Sequence, residues 1–391
     1  MPTWNWQLPQ WPELRCDPAS LAEAEARFAA GATVLLTTLA ASSTESVERI
    51  MVELVSDEAV TTSTIEGELL DRDSVQRSIR RALSLGLPDA AATPAERGIA
   101  ELLVDVCRTF TQPLDAGTLH RWHAMVMRGR DARAEPGRWR TSAEPMQVVS
   151  GRLDRPTVHF EAPPAERVPG EMQRFIEWFN ATEPTVDAPR LGALARAGLA
   201  HVWFESIHPF ADGNGRVGRA LSEKVLAQSM PHPSLTALSP VILARRGDYY
   251  RALAQASTTL DVGPWQRWFA GIALQAQARS IAEVQFIAAK VRMLAALGRD
   301  LNVRQEKALL RMMERGSTGF EGGMTASKYM AITRASPATA TRDLAGLAEL
   351  GALVPHGARR HMRYELQLPV RPVPTITVLP TGAIVETVSP P

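Results

Sequence analysis

The stretch His208-Pro-Phe-Ala-Asp-Gly-Asn-Gly-Arg-Val-Gly-Arg219 constrains this chain more than any other. It lies between two apolar runs, Leu191 to Phe204 and Ala220 to Ala227, that read as helices. The spacing predicts a tight interhelical loop whose second half opens the later helix. Gly213 and Gly215, on either side of Asn214, let the backbone turn sharply and aim successive N–H groups into one concavity. The positive end of the following helix suits phosphate. Arg216 and Arg219 stand three apart on one helical face, where both reach polyphosphate oxygens. Asp212 supplies one hard oxygen, suited to a Mg²⁺ that keeps most of its waters. A free histidine can titrate near neutral pH, so His208 is the residue type suited to taking a hydroxyl proton. Together these features argue for a phosphate-handling site over a polar turn that only satisfies helix ends.

A chain of 391 residues has room for two or three domains and a sizeable core. A net charge of +1 gives no general attraction to nucleic acid or membrane, so any basic patch must be local. Two cysteines, Cys16 and Cys107, make neither a disulfide framework nor a metal set. The opening residues lack a basic start and an apolar stretch, and the run Ala29 to Ala41 is too short to span a bilayer. No membrane association and a cytoplasmic location are the expectation.

The loop resembles the Fic family signature, H-x-F-x-[D/E]-G-N-G-R-x-x-R, at every fixed position. The resemblance implies a mainly α fold: a Fic helical core with a β-hairpin flap, here spanning 95–280. It also implies transfer of AMP from ATP to a Ser, Thr or Tyr hydroxyl of a target protein or of the chain itself. His208 would be the base and Asp212 the Mg²⁺ ligand. Gly213, Asn214, Gly215 and Arg216 would cradle the α- and β-phosphates, Arg219 would reach the γ-phosphate, and Phe210 would anchor the loop.

Residues 1–88 read as an N-terminal helical region. Trp4, Trp6 and Trp11 open an extended, proline-containing segment expected to dock by its indoles, and it resembles an N-terminal extension of one group of Fic proteins. Helices are expected from Ser20, over Val47 to Ile65 and over Asp71 to Leu85, with a linker at Gly86 to Pro94. Thr62 and Glu66 share a helical face, and Gly67 is a natural C-terminal cap. Composition alone makes Glu66 a solvated residue. The segment Thr62-x-x-x-Glu66-Gly67, however, resembles the inhibitory motif of the N-terminally inhibited Fic class, in which the glutamate pairs with the second loop arginine, here Arg219.

Two β-prone runs, Met146 to Arg152 and Pro156 to Phe160, predict a hairpin. In the family this is the flap that clamps the target, and Val148, Val149 and Val158 would line the target channel. His120 and His123 lack a carboxylate or cysteine partner nearby and read as ordinary helix residues. Tyr249 and Tyr250 resemble the segment that contacts adenine, with burial in the core as the equal alternative.

From Val303 the pattern changes to three helices and two strands, a winged-helix pattern over 303–368. Thr339, Thr341 and Arg342 would face a groove of DNA, and Arg359, Arg360 and Arg363 would form a basic wing. Protein docking or a homodimer is the competing use. Residues 369–391, rich in proline, read as a poorly packed tail. Two further readings stand beside AMP transfer: a DNA-binding regulator whose core senses nucleotide, and a bifunctional enzyme that also removes AMP.

Overall fold

The computed structural model describes residues 3–85, 92–130, 135–152, 155–184, 191–230, 232, 236–298, 300–314, 316–358, 361–369 and 373–388. Most of the linker at 86–94, and Arg359 and Arg360, lie outside the described residues. The chain is mainly helical. In order it forms α1 (Ala22–Ala40), α2 (Thr44–Ile65), α3 (Arg72–Ala82), α4 (Pro94–Thr109), α5 (Ala116–Val126), the strands β1 (Gln147–Arg152) and β2 (Arg155–Glu161), α6 (Val168–Ala181), α7 (Ala193–Ile207), α8 (Asn214–Gln228), α9 (Leu238–Ala244), α10 (Arg246–Ala256) and α11 (Gly263–Leu297). Then follow α12 (Val303–Met313), α13 (Ala326–Thr333), α14 (Pro337–Glu349), β3 (Leu353–His356), β4 (Arg363–Leu366), β5 (Thr375–Val378) and β6 (Ile384–Thr387).

Two compact units emerge. The first takes Met1–Thr33, Met51–Gln277 and Pro374–Pro391; the second takes Val34–Ile50 and Ala278–Val373. In the first, α7 and α8 form the centre. On α7 every residue from Leu194 to Phe204 is buried, so this helix is enclosed rather than amphipathic. Phe175, Phe204, Phe210, Val217 and Leu221 pack around the turn between α7 and α8. The local caps follow the sequence. Thr93 and Glu96 make a reciprocal capping box at the start of α4, and Asp115 caps α5. Glu96 also accepts from the backbone of Asp71 and the hydroxyl of Ser74, which ties α3 to α4.

The N-terminal indoles dock as expected. Trp4, Trp6 and Trp11 are buried; Trp6 Nε1 donates to the Glu161 carbonyl, and Trp11 Nε1 to Glu171. Their surface includes β2 as well as helices, since Trp4 meets Phe160 edge-on.

One expectation fails. Residues 369–391 are not a loose tail throughout: β5 and β6 pair as an antiparallel hairpin, with Thr375 opposite Thr387 and Val378 opposite Ile384. Ile376 is fully buried, and its carbonyl lies so close to Gly271 that a Cβ there would meet it at 2.8 Å. Alternation of Ile376 and Val378 with threonine gives the strand one face to bury.

The second unit has its own core, with Leu309, Met312, Tyr329, Leu344 and Leu353 buried. Asp343 on α14 is its polar centre. It accepts from Tyr329 Oη at 2.9 Å, Arg304 Nε at 2.9 Å and Asn302 Nδ2 at 3.2 Å, joining α12, α13 and α14. Strands β3 and β4 pair antiparallel, and Met324 bridges to Tyr364.

Candidate active site

Two left-handed residues make the turn between α7 and α8. His208 closes α7 with φ 49°, and Gly213 precedes α8 with φ 80°. Glycine tolerates such a φ; histidine adopts it only where its surroundings hold it. Asn214 closes the loop on itself, its Oδ1 accepting from the Phe210 N–H at 2.9 Å and its Nδ2 donating to the Phe210 carbonyl at 2.8 Å. Phe210 is fully buried.

His123, read from sequence as an ordinary helix residue, is a buried prop beneath this loop. Its ring stacks on Phe210 with centroids 3.9 Å apart and planes 13° from parallel. The Gly137 N–H donates to Nδ1 at 3.0 Å, so the proton lies on Nε2, which donates to the Asp212 carbonyl at 3.0 Å. Burial pushes the imidazole down to about 4 and keeps it neutral, as that pair of bonds requires.

The loop arginines are deeply buried. Arg219 donates from Nε to Thr62 Oγ1 at 2.7 Å, and from Nη2 to the Thr62 carbonyl at 3.0 Å and to Glu66 Oε1 at 2.8 Å. Burial works against its charge, yet Glu66, Tyr249 and Glu205 outweigh this and leave its pKa raised. The chain stops its helix at Gly67, φ 81°, and Glu68 N–H turns back to the Ser63 carbonyl at 3.0 Å, so Glu66 projects from the helix end. Gly215 makes room for it: a Cβ there would stand 2.3 Å from Glu66 Oε1.

A second carboxylate from the same helix end was not foreseen. Glu68 pairs with Arg216 at 2.8 Å and with Arg130 at 3.0 Å, and Arg130 reaches Asp212 at 3.3 Å. Asp212 is otherwise half-exposed, its Oδ1 accepting from Gly213 N–H at 2.6 Å. Arg219 Nη1 and Arg216 Nε are buried without a hydrogen-bond partner, two donors of the kind a polyphosphate takes. One accessible carboxylate beside two such arginines fits a Mg²⁺ held mainly by phosphates and water.

His208 is mostly enclosed, its side chain 14% exposed, with Nδ1 3.7 Å from Glu205 Oε2. Burial and the charge of Arg140 push its pKa down to about 4, so the ring is a neutral acceptor at pH 7. Glu205 moves the other way, to about 8, through burial and the neighbouring Glu66.

The tyrosines separate. Tyr249 is 2% exposed and its hydroxyl is joined to His201 Nε2 at 2.9 Å. Tyr249 is therefore a core residue, which corrects its expected contact with adenine. Tyr250 keeps an exposed face, with its hydroxyl 3.4 Å from the Ile65 carbonyl. On the hairpin, Val149 pairs with Val158 and both are exposed, while Val148 packs against the core.

Residues 113–226, which hold this whole loop and the hairpin, match the model of the Fic/DOC family. This stretch is thus similar to the domain shared by that family. Residues 4–85 match a second model, described as a domain of unknown function (DUF4172). Over 131 residues the chain is 32% identical to "Protein adenylyltransferase Fic" of Nematostella vectensis, covering 33% of this chain and 28% of that protein. Over 150 residues it is 31% identical to "Protein adenylyltransferase fic-1" of Caenorhabditis elegans, covering 38% and 25%. The matches thus span under a third of either relative. A crystal structure of a Fic family protein from Desulfovibrio desulfuricans G20 superposes with a TM-score of 0.48 at 21% identity, covering 90% of this chain and 98% of that one.

Around the Fic loop, then, the fold gathers His208, Asp212, Gly213, Asn214, Gly215, Arg216 and Arg219 with Glu66 and Thr62. Three participants escape sequence reasoning: His123, Glu68 and Arg130. For Glu68 the available signal was a second acid one residue past the helix-ending glycine.

Proposed function

We propose that this protein transfers AMP from Mg·ATP to a protein hydroxyl, and that Glu66 restrains it. The observation that carries this reading is the contact of Glu66 with Arg219 inside a loop whose base and phosphate donors are all present. His208, neutral and at the loop mouth, takes the proton as the acceptor oxygen bonds to the α-phosphorus and the bond to pyrophosphate breaks. Pyrophosphate leaves with the charge it gains. Arg216 and Arg219 hold the phosphates in line, and the N–H groups at the start of α8 face the same anion. Asp212 would hold a Mg²⁺, which when bound would supply charge neutralisation to the phosphates.

Glu66 occupies one arm of Arg219 and puts negative charge where the γ-phosphate would sit, which turns ATP from its productive pose. Exposed Val149 and Val158 give the hairpin an apolar edge against which a target segment pairs. No helix among the described residues is long and apolar enough to cross a membrane, and the scarcity of cysteine suits the cytoplasm.

The test uses Glu66→Gly protein with Mg²⁺, cell extract and ATP labelled at either the α- or the γ-phosphate. Covalent label from the α-position alone supports AMP transfer. Label from the γ-position indicates phosphorylation, and absence of both with ATP bound overturns the reading.

A second reading rests on the second unit. Its helices α13 and α14 precede a two-stranded β3–β4 ribbon, and Thr341, Arg342 and Arg363 are exposed. This order resembles the winged-helix pattern, and a gel shift with genomic fragments that weakens steeply with salt would support DNA binding. No shift at low salt counts against it.

A further inference from the structure

Arg140 lies 68 residues before His208, yet its side chain is spent on the end of α7. It is 4% exposed. Nε donates to the His208 carbonyl at 2.8 Å, Nη2 to the Ile207 carbonyl at 3.4 Å, and the Arg140 backbone N–H to the Pro209 carbonyl at 2.9 Å. Three consecutive acceptors at a helix end are thereby satisfied by one residue. Nη2 also donates to the Pro163 carbonyl, just beyond β2. On β2, Phe160 stands edge-on to the His208 ring with centroids 6.5 Å apart. The guanidinium therefore joins the base of the hairpin to the residue whose left-handed backbone needs holding.

Resting on the transferase reading above, we infer that Arg140 is the positioning residue for His208, fixing its backbone and tying it to the hairpin. Arg140 does not touch the reacting atoms; it acts through the carbonyls of Ile207, His208 and Pro209. Its charge has a second effect. The charged groups facing the His208 ring are Arg140, Glu66 beyond α2 and Asp212 of the loop, and the titratable Glu205 of α7, protonated at neutral pH, stands beside it. Burial and then Arg140 lower the ring's pKa, against the opposing pull of the Glu205 backbone and of Glu66 and Asp212. Removing the guanidinium lets the ring take a proton at higher pH.

The test places Arg140→Met and Arg140→Lys in the Glu66→Gly protein. Arg140→Met lowers kcat by about tenfold or more, as a displaced base requires, leaves KM for ATP within about twofold, and moves the acid limb of kcat to higher pH. Arg140→Lys keeps the charge but not the fork, so it retains part of the rate and leaves the acid limb in place. Undiminished kcat in either folded variant overturns the inference, as does a parallel loss of ATP affinity with an unmoved acid limb. The His208 ring titration, followed by NMR in ¹³C-histidine-labelled protein and assigned with His208→Ala, needs no turnover. An upward shift in Arg140→Met supports the role even in a protein that transfers nothing, and an unmoved titration overturns it. If Arg140→Met does not fold, the rate of Arg140→Lys decides.

Discussion

Arg216 and Glu68 form an ion pair at 2.8 Å in which the guanidinium side chain is 2% exposed and the carboxylate 21%. Through Arg130 the pair continues to Asp212, so the loop's first arginine and its acid are both engaged by groups from outside the loop. Breaking a largely buried pair leaves an uncompensated charge. Glu68→Ala should therefore lower the melting temperature of the nucleotide-free protein and bind MgATP more tightly. Its thermal shift on adding MgATP should exceed that of wild type. Equal shifts would show that Glu68 does not compete with phosphate.

His123→Phe keeps the stack on Phe210 but removes both hydrogen bonds, leaving Gly137 N–H and the Asp212 carbonyl without that partner. Two lost buried bonds cost on the order of 1–3 kcal/mol each. The expected result is a clear drop in denaturation midpoint together with weaker Mg²⁺-dependent ATP binding, because Asp212 loses its support from below. Calorimetry with and without Mg²⁺ measures both. An unchanged midpoint would contradict the role given to His123.

The buried histidines set an acid limit on stability. His123 is held down to about 4 and His201, also buried, to about 3, in both cases chiefly by burial. An unfolded histidine titrates at about 6.5, so between pH 6.5 and 4 the unfolded chain binds more protons. Stability contributed by the neutral rings is full above pH 6.5 and is lost as pH falls through this window. The two together account for several kcal/mol, on the order of 1.4 per pKa unit. Denaturant midpoints should hold from about pH 7.5 to 6.5 and then fall from about pH 6.5 to 4.5, and fall less in His201→Gln. A flat profile would contradict the burial argument.

Tyr249 and Tyr250 should behave differently. Tyr249→Phe removes the hydroxyl bonded to His201 and should cost about 1 kcal/mol of stability with KM for ATP unchanged. Tyr250→Ala touches an exposed ring and should raise KM for ATP with little change in stability. Kinetics of the two variants in Glu66→Gly protein check this, and the reverse pattern would restore Tyr249 to the nucleotide site.

What was legible in the sequence was whatever lay close together along it. The loop from His208 to Arg219 carries its ligands, glycines and helix start in one contiguous stretch, and caps such as Thr93 with Glu96 announce helices locally. Glu66 could be connected to Arg219 only through a family resemblance, since 153 residues separate them. His123 and Arg140 gave no such clue. Each acts on backbone carbonyls of the loop from 89 and 68 residues away, and a carbonyl leaves no mark on sequence. Tyr249 and Tyr250 are adjacent on a helix, so only packing decides which ring is enclosed. At the C-terminus the prolines obscured the alternating Thr-Ile-Thr-Val of β5 and the Thr381-Gly382 turn.

The central claim is that His208 drives AMP transfer and Glu66 holds it back. Its most direct measurement incubates wild type, Glu66→Gly and Glu66→Gly/His208→Ala with α-labelled ATP and Mg²⁺, alone and with cell extract, and counts covalent label. Strong incorporation by Glu66→Gly, little by wild type and none by the double variant is the result expected. Equal labelling by Glu66→Gly and the double variant, or none by any protein that binds ATP, would contradict the claim.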